Sequence, residues 1–161
     1  MTSDTVPTRD PLREAAVPAA VLSLLGPLLL AGALLLPSLL PDSVLNSGMA
    51  SRTLVAGAAM TPLAVPLGMT ARRHGSGIWR SLGSWGAMIG ALLLPFIVAV
   101  LYTDGGYYGW HVLRLGLPTV TLWVVLAADL SAPRGPLATI LHLVGWCAGA
   151  FLALEILQFW Q

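Results

Sequence analysis

The chain has 161 residues, a net charge of +1, 57% hydrophobic residues and only 9% charged ones. A soluble domain carries about 25% charged residues, so this composition excludes a water-solvated surface over most of the molecule. The near-neutral charge argues against a nucleic-acid partner, which would call for a clustered basic face.

Residues 1–16 read as a short polar tail with Arg9 and Arg13. The first apolar segment follows at about 17–40. Its start, with "VLSLLGPLLL" and then "AGA" at 31–33, resembles a cleavable signal peptide. Removal of residues 1–33 would leave four spans. The apolar run continues through "LLLPSLL", longer than a signal core, and this favours a retained first span.

Four more apolar segments lie at about 53–70, 81–103, 112–130 and 136–160. Each is close to the ~20 residues that an α-helix needs to cross the hydrocarbon core. Their apolar residues run round the whole helix, as expected in lipid or deep packing. The connectors are short. The expected fold is therefore all-α: a polytopic integral membrane bundle of five transmembrane helices, with 17–161 as one domain.

Arginine placement predicts the orientation. Arg9, Arg13, Arg72, Arg73, Arg80 and Arg134 fall on one side, and Arg52 and Arg114 on the other. The positive-inside rule then puts the N-terminus in the cytoplasm and the C-terminus outside. The 72–80 loop is expected to meet anionic headgroups.

The second segment holds Pro62 and Pro66. Each removes a backbone donor, which frees the carbonyls of Ala58 and Pro62 on one side of the helix. Bare carbonyls of this kind line cation sites in some transporters. The simpler expectation is a kinked helix whose acceptors are met by neighbouring helices.

Small residues recur at a spacing of four: Gly86 and Gly90 in the third segment, Gly145 and Gly149 in the fifth. Such faces let two helix backbones approach closely. They predict packing of spans three and five on each other, or else docking to a second copy or a membrane partner.

The connector "YTDGGYYGWH" (102–111) places Tyr102, Tyr107, Tyr108 and Trp110 at headgroup depth, where amphipathic rings are favoured. The aromatics read as an interfacial belt. The sharper reading is a lid over an outer-side polar cluster of Asp104, His111, Arg114 and Glu155. Arg114 lies one turn into span four, and Glu155 near the end of span five. Equal depth on consecutive antiparallel helices predicts an ion pair, which reduces the desolvation cost of both.

His111, Arg114, Pro118, Thr121 and Asp129 share one side of span four. His111 and Asp129 are about 27 Å apart along it, at 1.5 Å per residue, so they sit near opposite faces of the bilayer. Asp129 is expected at headgroup level. His142 is expected to be a hydrogen-bonded histidine, since no second histidine lies at a depth suited to bis-histidine haem.

Cys147 is the sole cysteine, so no internal disulfide and no zinc cluster is expected. No catalytic motif is present, and neither a metal nor a cofactor is expected. Three function classes follow in order. The first is a non-catalytic accessory or scaffold subunit acting through helix–helix contacts, with the lipid bilayer and a membrane protein or second copy as partners. The second is a small oligomeric transporter or channel built on the outer-side cluster. The third is an enzyme acting on a lipid-like substrate, with Glu155 or His111 as acid/base.

Overall fold

A computed structural model describes residues 11–39, 47–105, 110–131 and 135–159; within these, the side chains of 12, 36–39, 47–50, 104–105 and 110–112 fall outside the description. The described residues form five helices: α1 (Pro11–Leu39), α2 (Ser47–His74), α3 (Ile78–Gly105), α4 (Trp110–Leu130) and α5 (Pro136–Phe159). All five are long and apolar enough to cross a membrane. The chain is a multi-pass helical membrane bundle.

The local chemistry accounts for several helix boundaries. Pro11 and Pro136 open α1 and α5, where the missing N–H costs nothing because the first-turn donors have no intrahelical acceptor. Gly135, with φ of 86°, turns the chain into α5. After His74 the Gly75 amide still donates to Ala71 O at 2.8 Å. Gly77, with φ of 54°, then reverses the chain, a left-handed conformation that glycine adopts without a Cβ penalty.

Neighbouring helices run antiparallel. Gly26 of α1 lies against Met60 and Thr61 of α2, whereas Gly57 of α2 lies against Leu30 of α1. We call the end of the bundle at which α1 starts proximal, and the other end distal. The proximal end holds the C-termini of α2 and α4 and the N-terminus of α5. The distal end holds the start of α4 and the end of α5.

The central helix is α2, which packs against α1, α3, α4 and α5. Its span is 61% buried, against 33% for α5, yet its mean hydropathy of 1.5 is below the 2.1 of α1 and α3. The two facts have one cause. A helix wrapped by other helices needs to be thin rather than oily, because dispersion between close backbones drives association in lipid. Thr61, Pro62, Val65, Pro66 and Met69 of α2 are fully buried. Thr61 satisfies its hydroxyl on Gly57 O at 2.7 Å within its own helix.

The small-residue faces pack within the chain, but not on each other as expected. A Cβ at Gly86 would collide with Ser23 of α1, and one at Gly90 would lie 2.7 Å from Ala64 Cβ of α2. Gly145 faces Val125 of α4 and Pro66 of α2, and Gly149 faces Pro62 and Pro66. The α3 pair thus meets α1 and α2, and the α5 pair meets α4 and α2, with α2 shared by both. The carbonyl that Pro66 frees is also accounted for. A Cβ on Gly149 would sit 3.0 Å from Pro62 O, so that oxygen faces the glycine backbone of α5 rather than lipid.

Candidate functional sites at the two ends of the bundle

The distal end carries the ion pair between Arg114 and Glu155. Arg114 Nη2 donates to Glu155 Oε1 at 2.5 Å, across 41 residues of chain. The Glu155 side chain is 12% exposed and that of Arg114 37%, so the arginine is the more open partner. Of the other residues assigned to this cluster, Asp104 and His111 have side chains outside the described residues. Among the aromatics, Tyr107, Tyr108 and the Trp110 side chain also lie outside them. Tyr102 is described and half-buried, packed on the main core.

Beside Arg114 a groove of about 550 Å³ runs between α4 and α5, lined by Leu113, Leu117, Pro118, Thr121, Cys147, Ala148 and Phe151. It is larger than the hollows at α3–α4 (about 220 Å³) and α1–α2–α3 (about 170 Å³). Of the three, only this one has a charged side chain in its wall. It opens sideways, and its walls include Leu117, 68% exposed, and Phe151, 44% exposed.

The proximal end differs from expectation. Helix α2 continues past residue 70 to His74. Arg73 therefore stays on the helix and turns inward. Its Nε donates to Asp129 Oδ1 at 2.6 Å, and its Nη1 donates to Ala138 O of α5 at 2.6 Å. Asp129 is 4% exposed, so it is a buried ion-pair partner, a role the sequence pattern did not assign to it. Arg72 Nη1 approaches Asp129 Oδ2 at 3.5 Å, an ionic contact without a hydrogen bond. The correction has a physical reason. An isolated carboxylate at the end of a lipid-facing helix is costly, and the two arginines on the last turn of α2 lie at the same depth.

His142 adjoins this cluster from α5, and it is hydrogen-bonded, as expected. Trp146 Nε1 donates to His142 Nε2 at 3.1 Å, and Thr70 Oγ1 lies 3.0 Å from the same nitrogen. Trp146 can only donate, so Nε2 is the acceptor and the neutral ring carries its proton on Nδ1. Thr70 then directs its hydroxyl to Pro66 O at 2.9 Å. His142 Nδ1 is buried and has no hydrogen-bond partner among the described residues.

Sequence reasoning missed the Arg72–Arg73–Asp129 cluster, although the depth argument that paired Arg114 with Glu155 could have found it. Applied to the other end, that argument aligns the last turn of α2 with the last turn of α4. The assignment of residues 71–80 to a loop hid the alignment.

Among the described residues no chain of polar groups joins the two sites along α4. Arg114 and Asp129 are 15 residues apart on α4, about 22 Å at 1.5 Å per residue. Leu115, Leu122, Val125 and Leu126 fill the buried face between them. Thr119 and Thr121 donate to Leu115 O and Leu117 O of their own helix.

No protein family, curated protein or solved structure matches the chain.

Proposed function

We propose that this is a small non-catalytic accessory or scaffold protein of the cytoplasmic membrane, acting through helix–helix contacts, with its N-terminus in the cytoplasm. The observation that carries the reading is the α4–α5 groove combined with a filled bundle axis. A carrier or channel needs a polar route across the bilayer, and the buried α2 occupies the place where one would run. The groove instead offers a lateral apolar seat with small walls at Cys147 and Ala148. Its occupant is a transmembrane helix of a partner protein, with an acceptor at the depth of Arg114, whose side chain is 37% exposed beside the groove. The N-in orientation rests on the arginine count along the sequence, six on one side of the predicted spans against two on the other.

The test is a mild-detergent pull-down of the tagged protein from its native membrane, read by intact-complex mass spectrometry. The expected result is a stoichiometric membrane protein that is lost from the Cys147→Phe variant, in which a ring fills the groove. A protein that runs alone, or a partner equally retained by Cys147→Phe, would overturn the reading. In that case solute flux into proteoliposomes, sensitive to Glu155→Gln, would favour the transporter alternative.

A further inference from the structure

The two proximal arginines are served very unequally. Arg73 hydrogen-bonds Asp129 and the Ala138 carbonyl. Arg72, with five N–H donors in a planar fork, makes no hydrogen bond among the described residues. Its contact is the 3.5 Å approach to Asp129 Oδ2, and its Nη1 is buried. The Arg72 side chain as a whole is 17% exposed, so it is largely withdrawn from water without being sealed off.

Charge balance points the same way. Asp129 is the one carboxylate in ion-pair contact with either arginine among the described residues. One carboxylate neutralises one guanidinium, and here Arg73 holds it in the closer grip. Among the described residues the second cation has only the longer, shared contact with that same carboxylate, and a cation without a counter-charge of its own is costly at such a place. A guanidinium with a free fork is the side chain best matched to an oxyanion, because two parallel N–H groups meet two oxygens of a phosphate.

We propose that the proximal end of α2, beside the buried Arg73–Asp129 pair, is a binding site for a phosphate-class oxyanion held by Arg72. Arg73 and Asp129 position it: their bond fixes the carboxylate, and the carboxylate holds the Arg72 fork in place from one side. The oxyanion is either a lipid headgroup phosphate or free phosphate, both of which carry the same recognition chemistry. This site lies at the other end of the molecule from Arg114 and does not depend on the α4–α5 groove.

The experiment uses the full chain purified in an uncharged detergent. Thermal unfolding is followed with inorganic phosphate against chloride of equal ionic strength. It is followed separately with phosphatidylglycerol against an uncharged glycolipid of the same chain length. A rise in midpoint with inorganic phosphate identifies a free-anion site; a rise with phosphatidylglycerol alone identifies a headgroup site. In either case Arg72→Gln weakens the apparent affinity at least tenfold. Arg52→Gln, which removes the same charge at the distal end, leaves the affinity unchanged. Arg72→Lys keeps the charge but not the fork, and gives a smaller, severalfold loss; it serves where Arg72→Gln does not fold. No rise with either probe overturns the site, as does equal loss in Arg72→Gln and Arg52→Gln.

Discussion

Arg73 and Asp129 are 56 residues apart in the chain, yet the Nε of one donates to the Oδ1 of the other at 2.6 Å. The bond ties the last turn of α2 to the last turn of α4, and the second Arg73 bond, to Ala138 O, adds the first turn of α5. Three helix ends are thus held by one guanidinium. No residues of the intervening α3 take part.

Asp129→Asn is expected to be the most damaging single neutralisation in the protein. It strands two guanidiniums at a buried position, and breaking a buried pair from one side costs about 3–5 kcal/mol. Arg73→Gln should cost more than Arg72→Gln, because Arg73 makes two hydrogen bonds and Arg72 has only the long contact. Unfolding midpoints in mixed-micelle titrations of the three variants would check the order. Equal losses for the two arginine variants would contradict it.

The distal pair should show coupling of smaller size. Arg114 is more exposed than Asp129, so solvent and headgroups offset part of the loss. Glu155→Gln and Arg114→Gln are each expected to destabilise by about 1–2 kcal/mol, less than a fully buried pair. The double variant should lose less than the sum, with an interaction energy of at least about 0.5 kcal/mol. Additive losses in the same titration would mean that the contact contributes nothing.

Two glycines of the α1–α2 hairpin should respond in opposite directions. A Cβ at Gly57 would stand 2.5 Å from the Leu30 backbone nitrogen, whereas one at Gly32 meets nothing within 4 Å. Backbone cannot step aside as a side chain can, so Gly57→Ala forces the helices apart and costs about 1–3 kcal/mol. Gly32→Ala adds a good helix former in open space and gains up to about 1 kcal/mol. Thermal unfolding of the two variants side by side provides the comparison.

Filling the α4–α5 groove should leave the fold intact. Cys147 is exposed, and substitutions away from packed features usually change stability by no more than about 0.5 kcal/mol. Cys147→Phe is therefore expected to unfold at the wild-type midpoint while its partner is lost from the pull-down. A large drop in midpoint would show that the residue contributes to packing, and would remove the variant as a probe of docking.

Much of the architecture was legible in the residues themselves. Five apolar runs near 20 residues long lead to five helices, because backbone polar groups in lipid must be satisfied within each segment. The antiparallel order of short-looped helices aligns residues by depth, and so Arg114 and Glu155 could be paired from spacing alone. What depth cannot supply is rotation and lateral order. The sequence pattern of α2, with two prolines and modest hydropathy, does not mark it as the helix on which the others pack. Its central place emerges only when four other helices are seen to pack on it, because smallness is rewarded in proportion to the number of neighbours that exploit it. The same holds for the glycine pairs, whose spacing marks a close approach without naming the partner helix. Helix length decided the proximal cluster. Extending α2 by one turn carries Arg72 and Arg73 from a solvated loop to the buried side of Asp129, and that extra turn is settled by the tertiary contacts it makes.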